Sequence, residues 1–201
     1  MFRMTAPTDE EISALLARQD ASRFSYPLLG CTQGPAPAGY RRDHNRILLG
    51  QGPKVFAEAC RQLSSWRMFD LSFVRLLHAG AMPQVGQTVA VCAAHLGFYS
   101  LNFCRVLYLV DEDGPIRRYG FAYGTLADHA ARGEERFLIE WDRRDNGVRY
   151  DLLAYSRPSH WMMRLGYPAA RYFQRRFARE SLAAMAAACK DGGSGHEASL
   201  S

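Results

Sequence analysis

Apolar and polar positions alternate with a period of two through the middle of the chain. Within residues 148–156 the apolar side chains fall on every second position, as expected for a strand with one buried face. Similar segments predict strands at 40–50, 73–77, 88–95, 102–111, 117–123 and 135–141. Short turns separate the later ones, among them one that contains an Asn-Gly pair, so we predict an antiparallel sheet.

A helical period replaces this alternation near the N-terminus and after the first strand. Thr8 precedes an apolar stripe of helical spacing, and Glu11 stands three residues after it, which is the pattern of a capping box. A second helix is predicted to start at Pro53, because proline suits the first turn of a helix.

The longest helical pattern closes the chain. Apolar side chains recur every four residues from Trp161 to Phe177, and arginines line the opposite side. Gly166 and Pro168 interrupt the pattern, so a kink or a new start is expected there. We expect two phenylalanines of this helix to be buried and three arginines to be solvated: Phe173 and Phe177, and Arg171, Arg175 and Arg179.

The order of the predicted elements indicates the fold class. A curved antiparallel sheet with one apolar face needs a cover, and the C-terminal helix has an apolar stripe of suitable length. We therefore predict an α+β helix-grip fold (START/Bet v 1-like), with a curved antiparallel sheet of about seven strands wrapped on a long C-terminal helix. The predicted organisation is an N-terminal helix at 1–22, a single domain at 23–189 and a disordered tail at 190–201.

Composition narrows the class of protein. The 201 residues are 48% hydrophobic and 22% charged, and no apolar run reaches the roughly 20 residues of a membrane-spanning helix. The net charge is +5, but no run of basic residues is interleaved with aromatic ones, so we expect no nucleic-acid partner. The first residues lack an apolar signal segment, and we predict a cytoplasmic protein.

Motifs that would specify a metal or cofactor do not occur. The five cysteines show neither CxxC spacing nor a histidine at metal-ligand spacing, which favours reduced thiols and no metal site. A GxSxG elbow, a phosphate-binding loop and a dinucleotide fingerprint are also missing from the sequence. We predict no cofactor.

Residues 119–142 concentrate the polar candidates. Thr125 and Asp128 have the spacing of a capping box, and Gly133 could end a helix, so we predict a short capped helix or tight lid between two strands. Such a lid would lie at the mouth of an internal cavity. His129 then has three interpretations: a ligand-facing group on the rim, a catalytic acid or base, or a solvated side chain.

Further polar residues stand in apolar surroundings. Neighbouring strand residues face opposite sides, so at most one of Glu134 and Glu135 is expected to point inward. Arg105 and Arg157 could each grip an anionic group in the cavity or form a surface ion pair. The candidate ligand-binding residues are His129, Thr125, Tyr123, Glu135, Arg105, Asn102, Tyr155 and Arg157.

Several longer segments resemble a known family. They are SYPLLGCT, GQGPKVFAEACRQLSSWRMF, RYGFAYGTLADHAARGEERFLIEWD and AYSRPSHWMMRLGYPAARYFQRRFARESLAAM. Together they are similar to the family called domain of unknown function 1990, over roughly residues 24–185. The resemblance implies a START-like fold and brings no catalytic residues to this chain.

Three functions remain open from the sequence. The first is binding of a hydrophobic or amphipathic small molecule in a cavity between the sheet and the C-terminal helix. The second is an enzyme of cyclase, hydratase or hydrolase type that uses the same cavity, with His129 and a glutamate as acid and base. The third is an interaction module that uses the arginine face of the last helix. A hydrogen bond between His129 and a glutamate inside the cavity would favour the second.

Overall fold

A computed structural model describes residues 1–19, 21–78, 82–127, 129, 131–158 and 167–194. Its centre is an antiparallel sheet, in which seven strands follow the order β2-β8-β7-β6-β5-β4-β3 and β1 pairs with β5 outside this path. The strands are β1 Phe2–Arg3, β2 Arg41–Gln51, β3 Val74–His78, β4 Thr88–Ala94, β5 Tyr99–Glu112, β6 Ile116–Thr125, β7 Ala131–Asp142 and β8 Gly147–Pro158.

Three α-helices accompany the sheet in the described ranges. They are α1 Asp9–Ala17, α2 Gly52–Ser64 and α3 Tyr167–Ser194. The long α3 lies across the sheet, so the helix-grip architecture predicted from the element order is confirmed. None of the described helices is both long enough and apolar enough to span a bilayer.

The predicted capping box starts α1. Thr8 Oγ1 accepts a hydrogen bond from Glu11 N at 3.2 Å, and Glu11 Oε2 accepts one from Thr8 N at 3.0 Å. Each bond satisfies a backbone N–H that the helix itself leaves unpaired. Strand β1 was not predicted, because a segment of two residues, Phe2 and Arg3, is too short to show a period.

Both faces of the sheet are covered. The inner face, which carries Tyr123, Phe137 and Tyr150, packs against α2 and α3 in the largest core cluster. The outer face packs against α1 through a second apolar cluster. That cluster consists of Ile12, Ala90, Cys92, Leu101, Phe103 and Leu126. Because apolar residues occur on both faces, alternation alone cannot identify the inner one.

Helix α3 departs from the sequence-based expectation in three places. Phe173 and Phe177, predicted to be buried, are each half-buried. Arg171, predicted to be solvated, is only 8% exposed because it forms an ion pair with Asp43 on β2. The prediction of a disordered tail at 190–201 is wrong for residues 190–194, since the helix continues to Ser194. Arg175 and Arg179 are exposed, as predicted. The expected contacts of Trp161 fall outside the described residues.

Phe177→Ala should lower the free energy of unfolding by about 2 kcal/mol. Phe177 is half-buried, and its ring centroid lies 5.5 Å from that of Phe69 in the core, so the loss is smaller than for a fully buried ring. Arg175→Ala on the exposed side should change the same quantity by no more than about 0.5 kcal/mol. Urea denaturation of both variants measures the difference, and equal losses would contradict this placement of α3.

The predicted helix between Thr125 and Gly133 is not found in the described part of this segment. Strand β6 ends at Thr125, a turn follows, and β7 already begins at Ala131. The Thr125 hydroxyl bonds across the strand ends instead of capping a helix, since its Oγ1 accepts from Gly133 N at 2.9 Å. Gly133 lies inside β7, where a Cβ atom would stand 1.9 Å from the carbonyl oxygen of Tyr155. Close strand approach therefore requires this glycine.

Candidate functional site

A cavity of about 890 Å³ lies between the inner face of the sheet and α3. This volume is within the range of small-molecule sites, roughly 300–1,000 Å³. Its wall is mostly apolar and includes Ile47, Val91, Ala93, Leu152, Ala154, Phe173, Phe177 and Leu182. The exposed side chains of Arg175 and Arg179 border it, so the cavity opens to solvent beside the outer part of α3.

Glu135 and Tyr123 form the polar centre of this wall. They are neighbours on β7 and β6 and both point to the inner face. The Tyr123 hydroxyl donates to Glu135 Oε2 at 2.7 Å. The other carboxylate oxygen has no hydrogen-bond partner in the described part of the chain, and both residues line the cavity. Glu135 therefore offers an acceptor to anything that fills this space.

Burial raises the pKa of Glu135 to about 7, and the negative charge of Asp43 raises it further, while the Tyr123 hydrogen bond opposes the shift. Within the described ranges, no arginine, lysine or histidine stands within ion-pair distance of this carboxyl group. Ionising an acid in an apolar cavity that holds no cation costs free energy, because the charge loses its hydration and gains no partner. Perturbed carboxyl groups of this kind are concentrated at functional sites.

Asp43 and Arg171 close one side of the cavity. Arg171 Nη2 donates to Asp43 Oδ1 at 2.7 Å, and Nη1 donates to Oδ2, so the contact is bidentate. Arg171 also donates to Gln174 Oε1 at 2.6 Å. Burial works against ionisation of Asp43, but the hydrogen bonds and charge of Arg171 prevail and the pKa of Asp43 is lowered. The pair fastens α3 to the edge strand β2.

His129 lines the cavity as a neutral, half-buried ring. Burial lowers its pKa to about 4, and the positive charge of the N-terminus contributes. Its Nδ1 accepts a hydrogen bond from Ala131 N at 3.0 Å, which leaves the ring hydrogen on Nε2. The structure shows no hydrogen bond between His129 and either glutamate. The observation that would have favoured an acid–base pair is therefore missing from the described residues.

Asn102 belongs to a short polar chain on the wall formed by β4 and β5. Asn102 Nδ2 donates to Ser100 Oγ at 3.1 Å, and Ser100 Oγ lies 2.7 Å from His95 Nε2. The His95 ring stacks on Phe98 and meets the edge of Phe173 on α3, and burial lowers its pKa. These polar side chains give this end of the cavity uncharged hydrogen-bond donors and acceptors.

Three candidate residues direct their side chains to the outer face, although one of them, Tyr155, also borders the cavity. Arg105 donates to Ser22 O at 3.0 Å and to Thr88 Oγ1 at 3.2 Å, so it holds the segment after α1. The Tyr155 hydroxyl donates to Gly34 O at 3.1 Å. Arg157 covers the ring of Tyr40 at 4.9 Å. The structure thus gives these side chains contacts with the loop before β2 and with the segment after α1.

Glu134, next to the cavity acid, has a different role. It is 3% exposed on the outer face and accepts from Tyr26 Oη at 2.9 Å, Gly30 N at 2.8 Å and Thr32 N at 3.0 Å. Thr32 Oγ1 also donates to it. Burial raises the pKa of Tyr26, and the charge of Glu134 adds to the effect. The loop before β2 is therefore anchored on a buried carboxylate.

Six of the eight residues predicted from the sequence border the cavity: Tyr123, Thr125, His129, Glu135, Asn102 and Tyr155, the last with its hydroxyl engaged on the outer face. Sequence reasoning missed Asp43, Arg171 and His95. The signal for Asp43 was available, since Asp43, Asn45 and Ile47 alternate along β2 toward the inner face. Over the described ranges, the structure contains no cluster of three or more metal-ligating side chains, and all five cysteines are free thiols.

The family model for domain of unknown function 1990 (DUF1990) matches residues 25–184. The chain belongs to this family. It is also 37% identical over 200 residues to a UPF0548 protein of Dictyostelium discoideum, with 90% of this chain and 92% of that protein covered. The family model includes the wall of the cavity from β2 to Ala184 in α3.

Solved structures are similar at the level of the fold. A hypothetical protein from Helicobacter pylori matches with a TM-score of 0.50 and 12% identity, covering 73% of this chain and 86% of that chain. Human STARD10 matches with a TM-score of 0.47 and 12% identity, covering 98% and 85%. At this level of identity the likeness concerns the fold alone.

Proposed function

We propose that this DUF1990 protein binds a hydrophobic or amphipathic small molecule in the cavity between the sheet and α3. The observation that carries the proposal is the cavity itself, about 890 Å³ of mostly apolar wall with a few polar groups. Close packing is the rule inside proteins, so a space of this size and lining is what a ligand site requires.

The polar groups divide the wall into two regions. Glu135 and Tyr123 lie at the centre of the sheet, whereas Asn102 and His95 lie toward β4 and the β4–β5 turn. Apolar side chains of the same wall, such as Val91 and Phe177, would contact the body of the ligand. Such a wall favours a molecule with an apolar body and one or two hydrogen-bonding groups.

Ala154→Trp should weaken binding of the neutral dye Nile red at least tenfold. Ala154 lies on the inner face of β8 between Asp43 on β2 and Glu135 on β7, so an indole at this position would occupy the cavity. The dye's fluorescence in a titration measures the dissociation constant. Ala187→Trp, on the exposed side of α3, is the matched control and should bind as the unmodified protein does.

Equal Nile red binding by both tryptophan variants would refute the cavity as the site. Native mass spectrometry of the freshly purified protein then gives an independent result. A co-purified small molecule should be present with the unmodified chain and with Ala187→Trp, and missing with Ala154→Trp.

A second candidate function, catalysis in the same cavity, is supported by Glu135 and not by His129. A carboxyl group with a pKa of about 7 can both accept and release a proton near neutral pH. His129, with a pKa lowered to about 4, is neutral there and is a weak base. An enzyme of the cyclase, hydratase or hydrolase type would therefore use Glu135 with the Tyr123 hydroxyl beside it.

A further inference from the structure

We propose that the ligand of this cavity carries a protonated amine, which is held by the free carboxylate oxygen of Glu135. The inference rests on the proposed function and deepens it by naming the chemical class of the head group. It starts from a carboxyl group that faces the cavity with one oxygen engaged by Tyr123 and the other without a partner among the described residues.

The groups that face Glu135 supply no compensating charge. They are Cys104 on β5, Tyr123 on β6, Tyr150 on β8 and, farther away, Asp43 on β2. Burial raises the pKa of each of the first three, so they are neutral near pH 7, and Asp43 is negative. The groups on β5, β6 and β8 that face Glu135 are therefore neutral, and Asp43 on β2 is negative. Arg41 and Arg42, at the start of β2, also border the cavity, but their side chains are exposed to solvent.

The arginines of α3 do not change this balance. Arg171 is engaged bidentately by Asp43, so its charge is matched. Arg175 and Arg179 are exposed on the rim, where water and salt screen their fields. A cation that enters the cavity is consequently attracted by the half-buried carboxylate of Glu135 more strongly than it is repelled by the exposed arginines of the rim.

An ammonium group satisfies the chemistry of this site better than the alternatives. It would form a charge-assisted hydrogen bond with Glu135 and remove the energetic penalty of an uncompensated carboxylate. A hydroxyl group would also donate to the carboxylate, but it would leave the negative charge uncompensated. A carboxylate would place two negative charges next to each other in a medium of low dielectric constant.

Three probes with the same ten-carbon chain separate these cases: decylammonium, decanol and decanoate, each used below its micelle concentration. Displacement of Nile red at pH 8 measures their affinities. Decylammonium should bind at least tenfold more tightly than decanol, and decanoate should bind most weakly. Equal binding of the amine and the alcohol overturns the inference, and so does tightest binding of decanoate, which would assign the head group to the rim arginines.

Glu135→Gln keeps the size of the side chain and its acceptor for Tyr123. It should abolish the preference for the amine while binding of decanol persists. Glu10→Gln, on the exposed surface of α1, makes the same change in net charge and should keep the preference. A preference that survives in Glu135→Gln overturns the inference. Near-ultraviolet circular dichroism verifies that both variants are folded.

The pH dependence gives a further result. Because the pKa of Glu135 is about 7 and that of an alkylamine is above 10, the carboxyl group and not the amine changes its charge between pH 6 and pH 8. Affinity for decylammonium should rise about tenfold over this interval, whereas affinity for decanol should not rise. If none of the three probes binds, the head-group inference fails. Nile red, which has no charged head group, then decides separately whether the cavity binds ligands.

Discussion

Glu134→Ala is expected to lower the free energy of unfolding by about 3–5 kcal/mol. The carboxylate is buried and accepts four hydrogen bonds, from Tyr26, from Gly30 and two from Thr32. Removing it leaves these donors without an acceptor on the outer face of the sheet. Chemical denaturation measures the loss, and trypsin should cut faster after Arg23 because the segment beyond it is released.

The matched control is the neighbouring residue. Glu135→Ala removes the same side chain one position later, but on the inner face, where the Tyr123 hydroxyl donates to it. It should not accelerate cleavage after Arg23. Comparable destabilisation by the two alanine variants would mean that the contacts of Glu134 do not hold the loop.

Glu135→Gln is expected to stabilise the protein at pH 8 by up to about 3 kcal/mol. The carboxyl group has a pKa of about 7 in the folded chain, above its ordinary value of 4.5. The folded protein therefore retains a proton that the unfolded chain releases. Stability falls as pH rises from about 4.5 to 7, and the loss is complete above that interval. Glutamine is neutral at every pH and escapes this loss.

Urea denaturation of both proteins between pH 4 and pH 8 measures the effect. The difference between them should be close to zero at pH 4 and largest at pH 8. Contributions from His129 and other titrating groups are common to both proteins and cancel in the difference. A difference that does not vary with pH would show that the carboxyl group titrates normally and that its surroundings do not disfavour the charge.

The fold was predictable because its signals are local. Alternation, the Asn-Gly turn and the capping box of α1 depend on residues close together in the chain, and they placed the strands β2 to β8 and the three helices. The ends of the strands were predicted less accurately: β7 was predicted at 135–141 and spans Ala131–Asp142. Its first residues include glycine and charged side chains, which pair with β8 but show no alternation.

The candidate site was predictable only in part, because its decisive contacts are not local. Asp43 and Arg171 are 128 positions apart, and on sequence alone the arginine belonged to a polar helix face. The side chains of Arg105, Tyr155 and Arg157 were assigned to the cavity since they stand among apolar neighbours, but they make their contacts on the outer face. Those neighbours are apolar because both faces of the sheet are covered. The order of apolar and polar residues along the sequence does not show which of them pack against α2 and α3 and which pack against α1.

The adjacent glutamates of β7 also bear on how the chain selects its strand pairing during folding. A shift of β7 by one residue would exchange its two faces. In one direction Arg136 would replace Phe137 in the core, and the donors around Thr32 would lose their acceptor. In the other direction Glu135 would take the place of Glu134 on the outer face, and Arg136 would take the place of Glu135 in the cavity. Arg136 would move to the inner face in either case, so it is this arginine beside the two acids that distinguishes the native alignment from both neighbouring ones.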